Sequence, residues 1–281
     1  MIVSLLALLS SPAQAGSCCV GATSPVPTRL GPCERALVGV AVRGEAGALR
    51  WDRRGAVRRS SMTEWGVEGT LAAGLGFSRR SQLSVSLPVR HTWRFAGELT
   101  GLGGGVGDTR IIGRYNARLE GLTEAGGTRP GVWVTAGARL PTGRSWDAST
   151  DVLLADVTGL PRPALSLGLI FERTQHRMPW VLTASTEVDA GAVVSTAQAG
   201  LGRTLGPRLT VLGAVGHTLS VVVDDGKART SGRTQISGRA VLGRPSRFRA
   251  WTGLSADVPV PGLGREQQQL VRADLGIALV R

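Results

Sequence analysis

Hydrophobic and polar positions alternate along much of this chain. Between Thr109 and Glu120, the odd positions carry mostly small or apolar residues, and the even positions carry mostly charged ones. Neighbouring side chains of a β-strand point to opposite faces, whereas a helix would spread the arginines of this segment around its whole surface. The segment therefore predicts a strand with an apolar face and a charged face.

The same alternation recurs from residue 63 to the C-terminus. It runs through 63–77, 81–91, 131–143, 163–173, 232–243, 246–257 and 270–281, with turn-like sequences between the runs. The pattern predicts about twelve strands of about 9 to 13 residues, longer than strands of soluble proteins and long enough to span a bilayer. We therefore expect an all-β fold, an antiparallel up-and-down transmembrane β-barrel of about 12 strands.

A barrel gives charged residues in mid-strand a place to lie. Inside lipid every backbone polar group must be paired within the protein, and the polar face of each strand turns towards the lumen. The residues that we expect to line this lumen are Glu64, Glu68, Arg110, Arg114, Arg118, Arg139, Arg239 and Arg249, together with Glu187 and Asp274. The formal net charge is +13, and Lys227 is the only lysine, so the lumen is expected to be cationic through arginine.

The N-terminus indicates export. Residues 1–15 combine a short apolar core with the sequence Ala13-Gln14-Ala15, which predicts a signal peptide, although no basic residue precedes the core. A short buried helix is the alternative. Residues 16–34 form a Cys/Pro/Gly-rich segment expected in the periplasm, and 35–281 form the barrel. The predicted location is the outer membrane of a Gram-negative bacterium, in contact with lipid, lipopolysaccharide and the outer-membrane assembly machinery.

Three cysteines lie in the N-terminal segment. Cys18, Cys19 and Cys33 are disulfide candidates, and the simplest pairing joins one of the adjacent two to Cys33. The remaining thiol is free, bonded to another chain, or absent because Cys18 is acylated. The spacing of these cysteines and the distance of the three histidines do not fit a zinc site, and we expect no metal.

Several other functions find little support in the sequence. The glycine run before Asp108 lacks the Gly-Lys-Ser/Thr of a phosphate loop and is followed by a strand, so it predicts a turn and no nucleotide site. No zinc-finger, helix-turn-helix or RNA-binding signature accompanies the basic composition, so no nucleic acid is expected. His91 and His217 fall on apolar phases and His176 falls in a turn, so we expect neither a catalytic site nor a cofactor.

Two motifs resemble a known family. Gly105, Gly107 and Asp108 precede a strand with Arg114 and Tyr115, and a later strand ends in Leu140, Pro141, Thr142 and Gly143. This arrangement, over about 40 residues, is similar to a family of outer-membrane β-barrels that is transporter-like and associated with the meta-pathway degradation of phenol. The resemblance implies passage or binding of small, hydrophobic molecules.

The sequence thus leaves three functions to compare. The favoured one is a passive, porin-like pore or transporter-like barrel for small solutes. The sequence does not decide whether these solutes are hydrophobic or anionic. The second is a structural or surface-exposed barrel without transport, and the third is a barrel enzyme that acts on lipid.

Overall fold

The computed structural model describes residues 29–30, 34–51, 56–122, 128–173, 178–206, 209–224, 227–244, 248–258 and 267–281. The expected signal peptide and Cys18, Cys19, Cys33 and His176 lie outside these ranges. The described strands are β1 (Ala36–Trp51), β2 (Val57–Gly76), β3 (Ser81–Ala96), β4 (Leu99–Val106), β5 (Thr109–Arg118), β6 (Gly121–Leu122), β7 (Thr128–Arg129), β8 (Gly131–Leu140), β9 (Ala164–Arg173), β10 (Trp180–Val188), β11 (Ala192–Thr204), β12 (Leu209–Asp224), β13 (Lys227–Arg244), β14 (Phe248–Val258) and β15 (Gln267–Val280). A 3-10 helix spans Trp146–Ala148.

Helices contribute little to this part of the chain. Among the described residues, no helix is both long enough and apolar enough to cross a membrane.

The main sheet closes on itself. It contains thirteen strands, and all of them except β4 form an antiparallel ring in which each strand pairs with the next one in the sequence and β1 pairs with β15. The ring of twelve strands confirms the fold that the alternation predicts. Closure leaves no unpaired sheet edge around the ring, as a spanning barrel requires.

Strand β4 is the extra member. The first part of β3 (Ser81–Ser86) pairs with β5, and its later part (Val89–Ala96) pairs with β4. Strands β4 and β5 therefore lie end to end along the same edge of β3, with a break at Gly107 and Asp108. The expectation that the glycine run forms a turn was wrong, because Gly103, Gly104 and Gly105 lie within β4. The tight turn lies at the other end of β4, at Gly97, whose φ of 61° suits glycine.

The outer surface of the barrel is apolar. Exposed side chains on the outward phase include Val38, Val40, Val42, Leu71, Leu75, Leu165, Leu167, Leu169, Leu254, Leu275, Ile277 and Leu279. An apolar surface that continues around the protein is unfavourable in water, and the surface matches the lipid-facing band of a transmembrane barrel. The expected assignment of apolar phases to the outside therefore holds along these strands.

The inside of the barrel differs between its two ends. We call the end with Ala36 and Arg281 the terminal end, and the end with residues 141–163 the loop end. Near the terminal end the inward residues form an apolar core of Leu30, Leu37, Ala41, Ala72, Val181, Leu212, Val241, Trp251, Ala278 and Val280. Towards the loop end the inward residues are polar and charged. The lumen is therefore polar only towards the loop end. The sequence, in contrast, led us to expect a polar lumen.

Candidate functional site

A chain of ion pairs follows the inner wall near the loop end. It crosses six adjacent strands, from β3 through β2, β1, β15 and β14 to β13. Its members, in order, are Arg94, Glu64, Arg90, Glu45, Arg272, Asp257 and Arg233. The antiparallel register places Glu64 opposite Arg94 and Glu45 opposite Arg272, so cross-strand neighbours supply the opposite charges.

The geometry of this chain is that of charge-assisted hydrogen bonds. Arg94 Nε lies 2.9 Å from Glu64 Oε2, and Arg272 Nη1 lies 3.0 Å from Asp257 Oδ1. Asp257 is buried, so its charge requires a cation within hydrogen-bond distance. Alternating signs along the wall therefore hold several buried charges in place without a metal ion.

A second charged cluster surrounds Arg139 on β8. Its guanidinium contacts three carboxylates: Asp108 at 3.0 Å, Glu187 at 2.8 Å and Asp189 at 3.4 Å. The Arg110 Nη2 atom lies 3.9 Å from Glu187 Oε2, which joins β5 to the same cluster. Strands β5, β8 and β10 are thereby connected across the inner wall.

Asp108 also holds the segment that leaves β8. The backbone N–H of Gly143 donates to Asp108 Oδ1 at 3.1 Å, and the N–H of Leu160 donates to Asp108 Oδ2 at 2.9 Å. Both donors belong to residues 141–163, which we call the β8–β9 loop. Asp108 therefore fixes both ends of this loop at the break between β4 and β5.

The two motifs that carry the family resemblance meet at this corner. The Thr142 hydroxyl donates to the Gly107 carbonyl at 2.7 Å and accepts the N–H of Thr109 at 2.9 Å. Since Asp108 binds Gly143, the Gly-Asp pair and the Pro-Thr-Gly sequence form one structural unit, although 33 to 35 residues separate the bonded partners. Pro141 is exposed beside it, and Tyr115 is on the outward phase of β5.

The β8–β9 loop packs closely against the inward face of β4. A Cβ atom on Gly101 would lie 2.7 Å from Asp151 Oδ1, and one on Gly103 would overlap the backbone of Asp156. The Thr158 hydroxyl donates to the Val106 carbonyl at 2.7 Å. The inward glycines of β4 therefore serve to admit another stretch of backbone, which explains a glycine run inside a strand.

Further contacts hold the tip of this loop. Arg94 Nη1 donates to the carbonyls of Leu153 and Leu154, at 2.9 and 2.7 Å. Leu154 has a φ of 55°, a left-handed conformation that non-glycine residues seldom adopt. Because Arg94 also belongs to the chain of ion pairs, the loop and the charged wall are joined.

Asp156 organises the loop internally. It accepts hydrogen bonds from the Ser149 hydroxyl and the backbone N–H of Thr150, and it pairs with Arg144 at 2.8 Å. These donors, the Ser149 hydroxyl first among them, hold the pKa of the Asp156 carboxyl well below its usual range.

At the terminal end, two residues that precede β1 lie inside the barrel. Leu30 is buried in the apolar core, and its backbone N–H and C=O both bond the side chain of Gln82, at 3.0 and 2.9 Å. Arg29 pairs with Glu172 and stacks over the ring of Trp133 at 5.2 Å. Residues 29 and 30 therefore lie inside the lumen at this end.

The residues expected to line the lumen fall into several environments. Glu64 belongs to the chain of ion pairs. Arg239 pairs with Asp274 at 3.2 Å, and Thr70 donates to Glu68 at 3.3 Å. Arg139 and Arg110 form the β5–β8–β10 cluster described above.

The other three arginines lie nearer the terminal end. Arg114 donates to the Ser84 hydroxyl at 2.7 Å, and Arg249 pairs with Glu34. Arg118 is exposed at the end of β5, beyond a bulge, and donates to the Pro130 carbonyl at 3.2 Å.

Several important residues were not singled out from the sequence. These are Glu45, Arg90, Arg94, Asp156, Glu172 and Arg272. Arg90 and Arg272 lie on the polar phases that the alternation defines, so the period of two was a usable signal for them. Glu172 also follows the alternation, since Leu169 and Phe171 mark the opposite phase of β9. Asp156 offered no such signal, since its role depends on which segments meet inside the ring.

The arginines and the carboxylates of the described ion pairs differ in their exposure to water. In the described ion pairs the most exposed side chains are Arg110 (54%), Arg144 (50%) and Arg233 (38%), whereas no carboxylate in these pairs is exposed by more than 23%. The carboxylates are covered by their partners. Within these ion pairs, the charge presented to water is therefore positive.

His91 and His217, the two histidines among the described residues, lie on the outer face of the barrel. His91 faces outward with its ring edge-on to Trp93, and the ring of outward-facing His217 bonds the Thr234 hydroxyl at 2.9 Å. Within the described ranges, no group of three or more His, Cys, Asp or Glu side chains is placed to hold a metal ion.

Comparison with known proteins adds information on the fold. No protein-family model matches the sequence, and no curated protein sequence matches it. The structure is similar to that of an outer membrane channel from Pseudomonas putida F1, with a TM-score of 0.67 and 17% identity, over 92% of this chain and 99% of that one. It is also similar to the translocator domain of the autotransporter NalP from Neisseria meningitidis, with a TM-score of 0.51 and 11% identity, over 87% and 88%. The fold is that of outer-membrane barrels, and the link to phenol degradation stays a prediction.

Proposed function

We propose that this protein is a passive outer-membrane channel for small solutes, with a weak preference for anions. One observation carries the proposal: a closed ring of strands has an apolar outer face and, towards the loop end, a polar and charged inner face. A barrel of this kind offers solutes a hydrated path through the bilayer. The similar fold of the Pseudomonas putida channel supports the same function.

The proposed orientation follows from the connections. Outer-membrane barrels have short periplasmic turns and longer extracellular loops. The β8–β9 loop is the longest connection that the structure describes completely, so we place the loop end outside the cell and the terminal end in the periplasm. Lipid and lipopolysaccharide then surround the barrel, which the outer-membrane assembly machinery inserts. The proposal needs neither a cofactor nor a catalytic residue.

The size limit comes from two obstructions. Residues of the β8–β9 loop cover the inward face of β4, and Leu30 packs in the apolar core at the other end. Both reduce the cross-section, so the path suits small solutes. The preference for anions comes from the exposed arginines, because a lumen with accessible positive charge raises the local concentration of anions.

Planar-bilayer recording tests this proposal. The full chain, folded in detergent and shown to be folded by its heat-modifiable mobility in electrophoresis, should give discrete conductance steps with a reversal potential on the anion side in a salt gradient. Heat-denatured protein in the same detergent is the control. A folded protein that remains insulating, both with its natural sequence and with Leu30 replaced, would overturn the proposal.

A barrel without transport is the second candidate, and the packed terminal end favours it. Leu30 is 1% exposed among ten buried apolar residues. If this core seals the barrel permanently, substitutions that release Leu30 should leave the membrane insulating as well. Conductance in the natural protein or in such a variant favours the channel.

A further inference from the structure

The inner wall formed by β11 and β12 differs from the wall that carries the chain of ion pairs. Where that chain ends, at Arg233 on β13, the inward residues of the next two strands are neutral and polar. They are Thr196 and Gln198 on β11, and Gly216 and Thr218 on β12. The charged wall thus continues into a wall of hydroxyl and amide groups.

A small recess opens in the lumen wall at this junction. Its lining includes Thr196, Gln198, Gly216, Thr218, Arg233 and Gln235. Each of these residues except the glycine carries a hydroxyl, an amide or a guanidinium. The volume of the recess is about 20 Å³, which exceeds the roughly 10–15 Å³ that one water molecule needs. The recess therefore accepts one small polar group of a solute, and the rest of the solute would lie in the lumen.

The strand register explains the recess. One cross-strand row runs Gln198, Gly216, Gln235, and the next row towards the loop end runs Thr196, Thr218, Arg233. Gly216 therefore lies between two amide side chains and has none of its own. A Cβ placed on Gly216 would meet the Gln198 Cγ atom at 3.6 Å, which is an ordinary contact. The gap exists because this position is a glycine, and a larger residue would fill it.

Arg233 brings positive charge to the recess. The chain of ion pairs contains four arginines and three carboxylates, so it carries one positive charge in excess. Arg233 is the most exposed of the four, at 38%, whereas Arg94 at the other end is 19% exposed and donates to backbone carbonyls. Asp257 lies 3.4 Å from Arg233 but only 3.0 Å from Arg272. The excess charge of the chain is therefore most accessible at Arg233.

The neutral side of the recess offers both donors and acceptors. The Thr196 and Thr218 hydroxyl oxygens lie 3.2 Å apart, and one of them donates to the other. Each hydroxyl has one proton and two lone pairs, so the pair keeps one O–H proton and several lone pairs for a further partner. The glutamine amides carry donors and acceptors as well. Such a surface matches the hydroxyl groups of a solute as well as its carboxylate.

We propose that the recess binds the carboxylate of a small hydroxy acid on its way through the lumen. A guanidinium binds a carboxylate through charge-assisted hydrogen bonds, and the threonine and glutamine side chains bind the hydroxyl groups. One excess positive charge matches a singly charged anion. The polar lining favours a hydroxylated chain over a hydrocarbon chain, which would leave these polar groups without partners. The inference rests on the proposed function, because the solute must enter the lumen.

Binding of three related molecules tests the proposal. Glycerate has a carboxylate and two hydroxyl groups, propionate lacks the hydroxyl groups, and glycerol lacks the carboxylate. Saturation-transfer NMR on the full chain, folded in detergent, measures each Kd. We expect glycerate to bind about fivefold more tightly than propionate or glycerol, because each of these loses part of the hydrogen bonding. Equal binding of either molecule and glycerate would overturn the proposal.

Filling the recess is the second part of the experiment. Gly216→Val places methyl groups in the gap, and Gly238→Val is the matched control, because Gly238 faces outward on β13 and a Cβ there meets only the Leu212 carbonyl oxygen, at 3.9 Å. We expect the Kd for glycerate to rise about fivefold or more in Gly216→Val, since its hydrogen bonds are lost, and to stay unchanged in Gly238→Val.

A variant of nearly the same shape covers the case in which Gly216→Val does not fold. Thr218→Val removes one hydroxyl of the recess and should raise the Kd for glycerate severalfold. Natural affinity in the folded recess variants would overturn the inference. Because binding is measured without conductance, the two proposals fail separately. An insulating barrel that binds glycerate would overturn only the channel, and a conducting barrel that does not bind it would overturn only the recess.

Discussion

The Asp108 carboxylate and the Arg139 guanidinium form an ion pair, with 3.0 Å between Oδ2 and Nη1, where β5 begins and β8 ends. The same carboxylate accepts backbone N–H groups from both ends of the β8–β9 loop. One side chain thus joins the wall of the barrel to the loop that narrows it. Its replacement should affect both the stability of the fold and the passage of ions.

Asp108→Ala removes the anchor. Two backbone donors and one face of a buried guanidinium lose their partner, although Glu187 and Asp189 still contact Arg139. We expect the free energy of unfolding to fall by about 3 kcal/mol, the low end for breaking a buried ion pair, and the single-channel conductance to rise. Urea unfolding in lipid vesicles and planar-bilayer recording measure the two effects. Asp147→Ala, at an exposed acid of the same loop, is the control, and equal behaviour of the two variants would contradict the assignment.

Gly103→Val should displace the loop without touching its anchor. The new side chain would occupy the space of the Asp156 backbone, whereas valine at Gly213 meets no such obstacle. We expect trypsin to cleave the β8–β9 loop at Arg144 roughly tenfold faster in the Gly103 variant, because protection by local packing is lost. Limited proteolysis of the folded protein with mass detection of the fragments measures this rate. Cleavage at the natural rate would show that the loop does not depend on the glycine face of β4.

Arg110 and Arg233 should set the ion selectivity. Each is the most exposed member of its ion pair. Arg110→Gln with Arg233→Gln should lower the ratio of anion to cation permeability by roughly twofold, since less positive charge then faces the water. The reversal potential in a salt gradient measures the ratio. Arg203→Gln, on an exposed outward position of β11, should leave it unchanged; an equal change in that variant would indicate a general effect of net charge.

Leu30 should control the terminal end. Leu30→Gly removes a buried side chain from the apolar core around it and weakens the packing of residues 29 and 30 inside the barrel. We expect larger conductance steps and a barrel that remains folded, because the ring of strands does not depend on this residue. Arg35→Ala, at an exposed position just before β1, is the matched control. Unchanged steps in both variants would mean that Leu30 does not obstruct the path.

The ionised Asp156 carboxylate makes the packing of the β8–β9 loop depend on pH. Its folded-state pKa lies below the ordinary value of about 3.9 for aspartate, so its contribution to loop packing is complete above that value. The contribution is lost only as the pH falls through the lowered pKa of the folded state. We expect the conductance of the natural protein to stay constant from about pH 8 to about pH 4 and to rise below that range. Asp156→Ala should show the higher conductance already at neutral pH; a step near pH 6 in the natural protein would point to another group.

The period of two was sufficient to predict the architecture. Alternation is a property of each strand by itself, so the positions of Val85 and Ser84 on opposite faces could be assigned without knowing their neighbours. Strand length then favoured a membrane-spanning barrel over a soluble sandwich. The same signal placed Glu64 and Arg139 on the inner face, but it could not identify their partners.

The candidate site depended on contacts that alternation does not encode. Arg29 lies 143 positions before Glu172 in the sequence, and only closure of the ring places β9 beside Arg29. The glycines of β4 resembled a turn because glycine is common in turns, and their purpose became visible only with Asp156 packed against them.

By itself, the sequence predicted the alternating strands, though not β4, and which face of each of them is apolar, because both follow from local geometry repeated along the chain. The tertiary structure decided which charges neutralise one another, why the glycine run before Asp108 lies in a strand, and where the lumen is narrowed. Those features depend on distances between segments far apart in the chain, and the pairing of β1 with β15 brings such segments together.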